Sequence, residues 1–478
     1  MPASSRCGKG SFSRTSHTFL QHAVSELRVI SQHAGSVLVG QLAVMAFGVA
    51  DTVIAGRYSD SALAALSVGS ALYISVYVGL IGVVQALLPI WAEMVGARKH
   101  QAVGCSLRQS LYLCGVLTAL GMAALLMPGP LLAWAQVPEG LRGEVQQYLT
   151  VLAFAFAPSL LFRVYSTFTQ SLGRPLLVTW LQIAALLIKI PLSVWLVAGG
   201  AGVQPMGAVG CAWATLIVNY LLLGWAIVML RTQVLYQPFQ IWQPMERPDW
   251  RQIGSFARLG IPGGLAYLVE VTSFTLMALF IARLGTLASA SHQIAASVAA
   301  TLYMLPLSMA IASSARVSFW LGANRPDHAK RVILLALKLT VLLAMSFAAI
   351  ISIAGKYLAS WYSNSPPIIS LASSLLVWVA MYHLADAIQA VSAFLLRCYR
   401  ITIAPLALYG VLLWGLGLYG GYQLTYEGLP GMTATRSASS FWAASTMAIS
   451  LVAVCLLGLL FYVVRNTASA HPTKNQAG

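Results

Sequence analysis

Long apolar runs alternate with short polar breaks along almost the whole chain. Crossing the hydrocarbon layer of a bilayer takes about 20 apolar residues in a helix, because each residue rises only about 1.5 Å. Runs of that length lie near residues 31–56, 66–92, 108–128, 145–169, 176–198 and 207–230, and again near 259–284, 291–314, 331–354, 368–396, 402–424 and 440–464. Between the two sets is a polar stretch, Arg231 to Arg258, with Pro238, Pro244, Pro248 and six charges. The pattern predicts an all-α integral membrane protein of twelve transmembrane helices in two six-helix lobes. Its expected divisions are a cytoplasmic tail over 1–30, a first lobe over 31–230, a cytoplasmic linker over 231–258, a second lobe over 259–464 and a cytoplasmic tail over 465–478.

Composition strengthens this. Of 478 residues, 59% are hydrophobic and 8% charged, with mean hydropathy +0.78. A soluble domain carries about 25% charged residues, roughly threefold more, and needs them to cover its surface. The net charge of +16 would suggest nucleic acid in a soluble protein, but no basic run or nucleic-acid-binding motif accompanies it. The basic residues sort by side instead. With both termini inside, the predicted cytoplasmic segments hold 20 Lys and Arg, and the outer loops hold five, Arg57, Arg142, Arg283, Lys356 and Arg436. Arg163, Lys189 and Lys338 fall within spans. This is the positive-inside bias of a multi-pass membrane protein, and one helix more or fewer would scramble it.

Other classes fall away. The first thirty residues lack an apolar core with a cleavage site and read as a short, mobile tail, not a signal peptide. The six cysteines form no CxxC pair and read as small apolar packing residues. No P-loop, His-Glu-x-x-His or Gly-x-Ser-x-Gly motif is present, so an enzyme is not expected, and no cofactor beyond a coupling ion.

The two sets of spans resemble each other at an offset of 226 residues. Val95-Gly96-Ala97-Arg98 lines up with Leu321-Gly322-Ala323-Asn324, Arg57 with Arg283, and Arg174 with Arg400. Six spans per half preserve orientation, so the pseudo-two-fold axis is expected along the membrane normal, with a substrate site between the halves and alternating access around it.

Three of the twelve acidic residues sit inside spans: Asp51 in the first, Glu270 in the seventh and Asp386 in the tenth. An acid near the centre of a membrane helix costs about 2.5–3.5 kcal/mol on insertion scales, so such residues read as functional. The structural alternative is a carboxylate satisfied by a neighbouring helix. Burial favours the neutral form of an acid and a nearby cation favours the charged form, so a buried acid can trade a proton for Na+ or for a cationic substrate. His383, Asp386 and Gln389 are spaced three apart, on one face of a helix, beside Tyr382. Tyr267, Glu270, Ser273 and Phe274 form a similar stripe on the seventh span. Polar residues can be interhelical glue, but two stripes each centred on an acid read as the lining of a transport path. Tyr267, Phe274 and Tyr382 are suited to stacking on flat cations.

Several stretches then take on a joint meaning: Val49-Ala50-Asp51-Thr52-Val53-Ile54-Ala55-Gly56, Leu88-Pro89, Val95-Gly96-Ala97-Arg98, and Val209-Gly210-Cys211-Ala212-Trp213-Ala214-Thr215 in the first half. In the second half they are Leu259-Gly260-Ile261-Pro262 leading to Glu270, His292-Gln293-Ile294-Ala295, Met304-Leu305-Pro306-Leu307, Asp386-Ala387 and Leu396-Arg397. In order and spacing the chain resembles the multidrug and toxic compound extrusion (MATE) family, NorM-like branch, over roughly residues 30–465.

The resemblance implies an antiporter that exchanges Na+ or H+ for organic cations and other drugs. It implies a coupling-cation site at Glu270 and Asp386, able to hold Na+, with Tyr303 beside it, and proton-linked behaviour at Asp51. Gln293 joins Tyr267, Phe274, Tyr382, His383 and Gln389 as a candidate for the substrate cavity. A bacterial inner membrane and a monomer are expected. One departure matters: where the family has Asn-Ile-Pro-Leu-Asn, facing the helix-one acid, this chain reads Lys189-Ile190-Pro191-Leu192-Ser193. Lys189 can pair with Asp51 and take it out of titration, titrate itself, or snorkel. Smaller departures are Cys398 for a glycine and Ser365-Pro366 for Asp-Pro. The rival readings are a lipid-linked or polysaccharide precursor flippase of the same superfamily, for which Arg163 and Lys189 are the few basic cavity candidates, and a non-transporting receptor or scaffold.

Overall fold

The computed structural model describes residues 11–129, 132, 139–200, 202–428 and 433–469, with side chains between Glu26 and Thr467. Among the described residues, twelve helices are long and apolar enough to cross a membrane. They are α1 (Ser11–Tyr58), α2 (Asp60–Gly96), α3 (His100–Leu126), α4 (Glu139–Ser171), α5 (Pro175–Ala198) and α6 (Ala208–Thr232), then α7 (Trp250–Ala282), α8 (Thr286–Gly322), α9 (Pro326–Tyr362), α10 (Pro366–Cys398), α11 (Ile403–Glu427) and α12 (Ala438–Ser469). Each matches one of the expected runs, to within about two residues where a run passes the end of its helix. The outward faces are apolar, as at Ile353, Val411 and Val454, which lie largely exposed along the flanks where lipid would be the solvent.

At the start of the chain, helix runs back from the first span to Ser11, without a break near residue 30. No glycine or proline occurs between Ser11 and Ala34 to stop it. Residues 1–10 and 470–478 lie outside the described residues.

Helix breaks follow the sequence. Pro89 has no N–H to offer the Gln85 carbonyl, and α2 is interrupted at Ala86. Pro158, Pro191, Pro262 and Pro306 lie inside α4, α5, α7 and α8, which packed membrane helices tolerate when neighbours satisfy the freed carbonyls. Helix α11 widens into π-type turns over Tyr409–Tyr419. Asp249 caps α7 by accepting from the N–H groups of Arg251 (2.9 Å) and Gln252 (3.3 Å).

The 226-residue repeat is visible in the backbone. Arg98 and Asn324 both adopt the left-handed conformation, with φ of 57° and 56°. Just before them, Gly96 and Gly322 bring α2 and α8 together so closely that a Cβ on Gly96 would meet the Phe319 carbonyl and one on Gly322 the Glu93 carbonyl. Only glycine permits that backbone approach.

Two hydrophobic clusters hold the bundle. One is built from residues of α7 to α12, the other from α1 to α6. At one end of the bundle they exchange members: Ile30, Ala34 and Val37 of α1 belong to the cluster of the second half, and Ile253, Phe256 and Leu259 of α7 to that of the first. Ion pairs join the halves at the same end. Arg316 grips Glu26 through two hydrogen bonds of 2.7 and 2.6 Å, and Arg400 reaches Glu93 at 2.5 Å. The segment between α6 and α7 lies on this face too, strapped to α3. Arg108 takes both carboxylate oxygens of Glu246 and the Gln240 carbonyl (2.7 Å), Gln109 donates to the Arg247 carbonyl (3.0 Å), and Tyr112 donates to the Glu246 carbonyl (2.9 Å).

Candidate transport site

Glu270, on α7, faces the polar stripe of α10. The Gln389 amide nitrogen donates to Asp386 Oδ1 at 2.9 Å and to Glu270 Oε1 at 3.4 Å. The amide oxygen of Gln389 accepts from the Tyr409 hydroxyl. All four side chains are buried. One amide therefore ties both acids of the second half together, held in orientation by a tyrosine where α11 begins its π-type turns. Such turns are frequent at functional sites.

Glu270 lines two chambers. One, a small cavity of about 10 Å³, is walled by Phe274, Met277, Tyr382 and Leu413, and is largely apolar and aromatic. The other, also about 10 Å³, is walled by Tyr267, Tyr303, Phe394, Arg397 and Tyr409. Phe274 stands edge-on to Tyr382 at 5.5 Å between ring centres, and both face Trp442. Of the sequence-predicted residues, Tyr267, Tyr303, Phe274 and Tyr382 reach a chamber wall and Gln389 bridges the acids. His383 is buried away from both chambers, its Nε2 without a hydrogen-bond partner. Gln293 sits on an exposed face of α8 and reaches neither.

In the first half, Lys189 of α5 places its ammonium 2.6 Å from Asp51 Oδ2 and 2.9 Å from the Thr215 hydroxyl, with the Phe47 ring centre 5.1 Å away. Ser193 donates to Asp51 Oδ1 at 3.2 Å. Lys189 is 2% exposed and Asp51 7%. The two positions that depart from the family pattern, Lys189 and Ser193, are the two side chains that occupy the Asp51 carboxylate. Among the described residues, no group of three or more His, Cys, Asp or Glu could hold a metal ion.

Sequence reasoning missed Tyr409 and the chamber role of Arg397. Tyr409 stands in an apolar run with no polar neighbour in helical register, so only the packing of α11 on α10 reveals it. Arg397 carried a signal, as a basic residue in a span-ending motif, but was counted with the charges of the cytoplasmic side.

Comparison with known proteins supports the architecture. The MatE family profile matches residues 37–195 and 262–423. A protein of Aromatoleum aromaticum named a probable multidrug resistance protein NorM is 37% identical over 433 residues, covering 91% of this chain and 93% of its own. The Pseudomonas aeruginosa multidrug resistance protein PmpM is 31% identical over 84% of both chains. Among solved structures, the eukaryotic MATE transporter AtDTX14 superposes with a TM-score of 0.82 at 18% identity, over 92% of this chain and 96% of that one. The Vibrio cholerae MATE transporter VcmN in its bent form gives 0.81 at 16% identity, over 93% and 98%. By fold and by sequence, this twelve-helix membrane protein belongs to the MatE family of transporters.

Proposed function

We propose that the protein is a secondary antiporter that exports small organic compounds, often lipophilic cations, in exchange for Na+ or H+. The observation that carries this reading is the buried pair Glu270 and Asp386, tied through the Gln389 amide, with Glu270 lining chambers on both sides. The amide nitrogen stands between the two carboxylates, where a cation would be shared. Turned over, the same side chain offers an oxygen as a further ligand. A cationic substrate and a coupling ion compete for these acids, and bare carboxylates are costly to carry through the bilayer. Exchange follows because each cation leaves when the other arrives. An elementary charge moving down a 100 mV potential yields about 2.3 kcal/mol, enough to drive uphill export.

In the first half, Lys189 acts as a tethered cation on Asp51 and leaves ion coupling to the second half. The multidrug resistance names of the relatives favour drug-like substrates. The 20-to-5 distribution of Lys and Arg favours a bacterial inner membrane with both termini and the α6–α7 segment in the cytoplasm. The halves interlock on that face, which suits a cavity open to the outside. The protein is taken to work as a monomer.

The test is efflux of a fluorescent lipophilic cation from cells expressing wild type, Glu270→Gln or Asp386→Asn at matched levels, with Na+ and pH gradients imposed separately. Gradient-driven efflux that disappears in either variant supports the antiporter and names the ion. Absence of efflux under both gradients moves the reading to a lipid-precursor flippase. Against that alternative, the ammonium of Lys189 is engaged by Asp51 instead of standing free for a pyrophosphate.

A further inference from the structure

Arg397 is 6% exposed, and its Nη1 is buried without a hydrogen-bond partner. Among the described residues, no ion pair reaches it. Its guanidinium rests instead against the rings of Phe394 (4.4 Å to the centroid) and Tyr267 (5.3 Å). Stacking of this kind holds the plane of a guanidinium while leaving its edge free to donate. That edge belongs to the chamber walled by Tyr267, Tyr303 and Tyr409, whose other charged wall residue is Glu270. Buried charges without a partner are rare in folded proteins, and an orphaned guanidinium donor is matched best by a planar carboxylate, which it can bind through two parallel hydrogen bonds.

At about 10 Å³ the chamber has room for roughly one water, far below the roughly 300–1,000 Å³ of sites that enclose a drug-sized molecule. Only a small polar group can reach Arg397 there, and the walls have to part to admit one. The aromatic and apolar walls beyond Glu270, with Phe274, Tyr382 and Met277, match the rest of such a ligand in chemistry. Charge thus runs in a fixed order: guanidinium, carboxylate, aromatic wall.

We infer that Arg397 forms a carboxylate-binding subsite beside the cation site, so that the protein selects zwitterionic aromatic compounds, anion on Arg397 and cation on Glu270, over purely cationic ones of the same shape. The inference rests on the antiporter reading for its transport consequence, but the binding it asserts is independent of coupling. Tyr303, on the same wall, carries a hydroxyl that can turn toward the bound carboxylate.

A matched pair of dyes decides it: rhodamine B, which carries a carboxylate and a delocalised cation, and its ethyl ester, which keeps only the cation. In wild type, the zwitterion is expected to be the better exported of the two. In Arg397→Gln, the ratio of zwitterion to ester efflux is expected to fall at least tenfold, and in Arg397→Lys by less, because an ammonium keeps the charge but not the fork. An unchanged ratio, or a loss equal for both dyes, overturns the subsite. Should the variants fail to fold, purified wild type still answers. Benzoate is expected to displace bound rhodamine B and to leave the bound ester in place, while benzyl alcohol displaces neither. Displacement of neither dye by benzoate overturns the proposal. If wild type exports neither dye under any gradient, the antiporter reading fails, and the benzoate competition decides the subsite alone.

Discussion

Ile30 and Phe256 stand 226 residues apart, at equivalent points of the two halves, and each is buried in the hydrophobic cluster of the other half. The exchange is confined to the face that carries the α6–α7 segment. There the Gly96 and Gly322 backbones meet the opposite half, and Glu26–Arg316 and Glu93–Arg400 bridge it. Interdigitation of side chains, not a flat contact, closes this face. An alternating-access cycle has to withdraw both residues from their borrowed cores.

Gly322→Ala is therefore expected to block closure of this face. The added Cβ would fall 1.8 Å from the Glu93 carbonyl oxygen, and that oxygen belongs to backbone that cannot rotate away. Overpacking costs about 1–3 kcal/mol in a well-packed site, roughly 5- to 150-fold in the closed population. The measurement is cross-linking of Glu93→Cys to Arg400→Cys by a short bis-maleimide, with and without the alanine. The yield is expected to fall by that factor and efflux with it. Gly254→Ala is the control, because nothing lies within 4 Å of its Cβ position. Equal yields in all three would show that the glycine contact does not govern closure.

Lys189 and Asp51 are expected to behave as one unit. Removing one partner of a buried pair leaves an uncompensated charge and costs about 3–5 kcal/mol, whereas replacing both with neutral groups is often close to neutral. Lys189→Asn and Asp51→Asn singly are thus expected to lower the melting temperature of the purified protein clearly, and the double variant to recover most of the loss. Additive losses in the double-variant cycle would mean that the pair is not energetically coupled.

Most of the helical frame was legible in the sequence, for a physical reason. A bilayer forces apolar runs of a set length, so every span announced itself, and the repeat announced the symmetry of Gly96 and Gly322. The length of α1 was less legible, because its start is polar. Nothing between Ser11 and Ala34 breaks a helix, and the apolar members Ile30 and Ala34 pack in the cluster of the distant half. The acids were legible because charge within a span is expensive. Their connector was only half so: Gln389 shares a helical face with Asp386, but Tyr409 comes from another helix with no polar pattern around it. Gln293, singled out by motif alone, lies on an exposed face. Resemblance marks a position without saying which way it points.

Tyr409→Phe is expected to weaken the proposed coupling-ion site without abolishing transport. The hydroxyl donates to the Gln389 oxygen and thereby aims the amide nitrogen at both acids. Losing one such hydrogen bond is worth about 0.5–1.5 kcal/mol, or roughly 2- to 10-fold in an equilibrium. The half-saturating concentration of the coupling ion, measured by efflux at fixed substrate, should shift by that factor, with the maximal rate changed less. A variant indistinguishable from wild type would mean that the amide is held by the acids alone.

The strap on the α6–α7 segment gives a pH prediction outside the membrane. Hydrogen bonds from Arg108 hold the Glu246 carboxyl well down from its ordinary 4.5, to about 2. A carboxylate whose value is depressed by folding contributes stability that is fully present above its unfolded value and is lost as pH falls through the folded one. The strap is therefore expected to stay intact from neutral pH to about 4.5 and to release only on approach to about 2. Hydrogen-exchange protection of the amides over 240–249, corrected for the intrinsic pH dependence of exchange, reports this directly. The partly exposed position of Glu246 makes the contact salt-sensitive as well. In Arg108→Gln, the protection should already be low at neutral pH, because the Gln240 carbonyl and the Glu246 carboxylate lose their shared donor together. Protection that persists in wild type below about pH 2 would show instead that Gln109 and Tyr112 hold the segment and that Glu246 is a bystander.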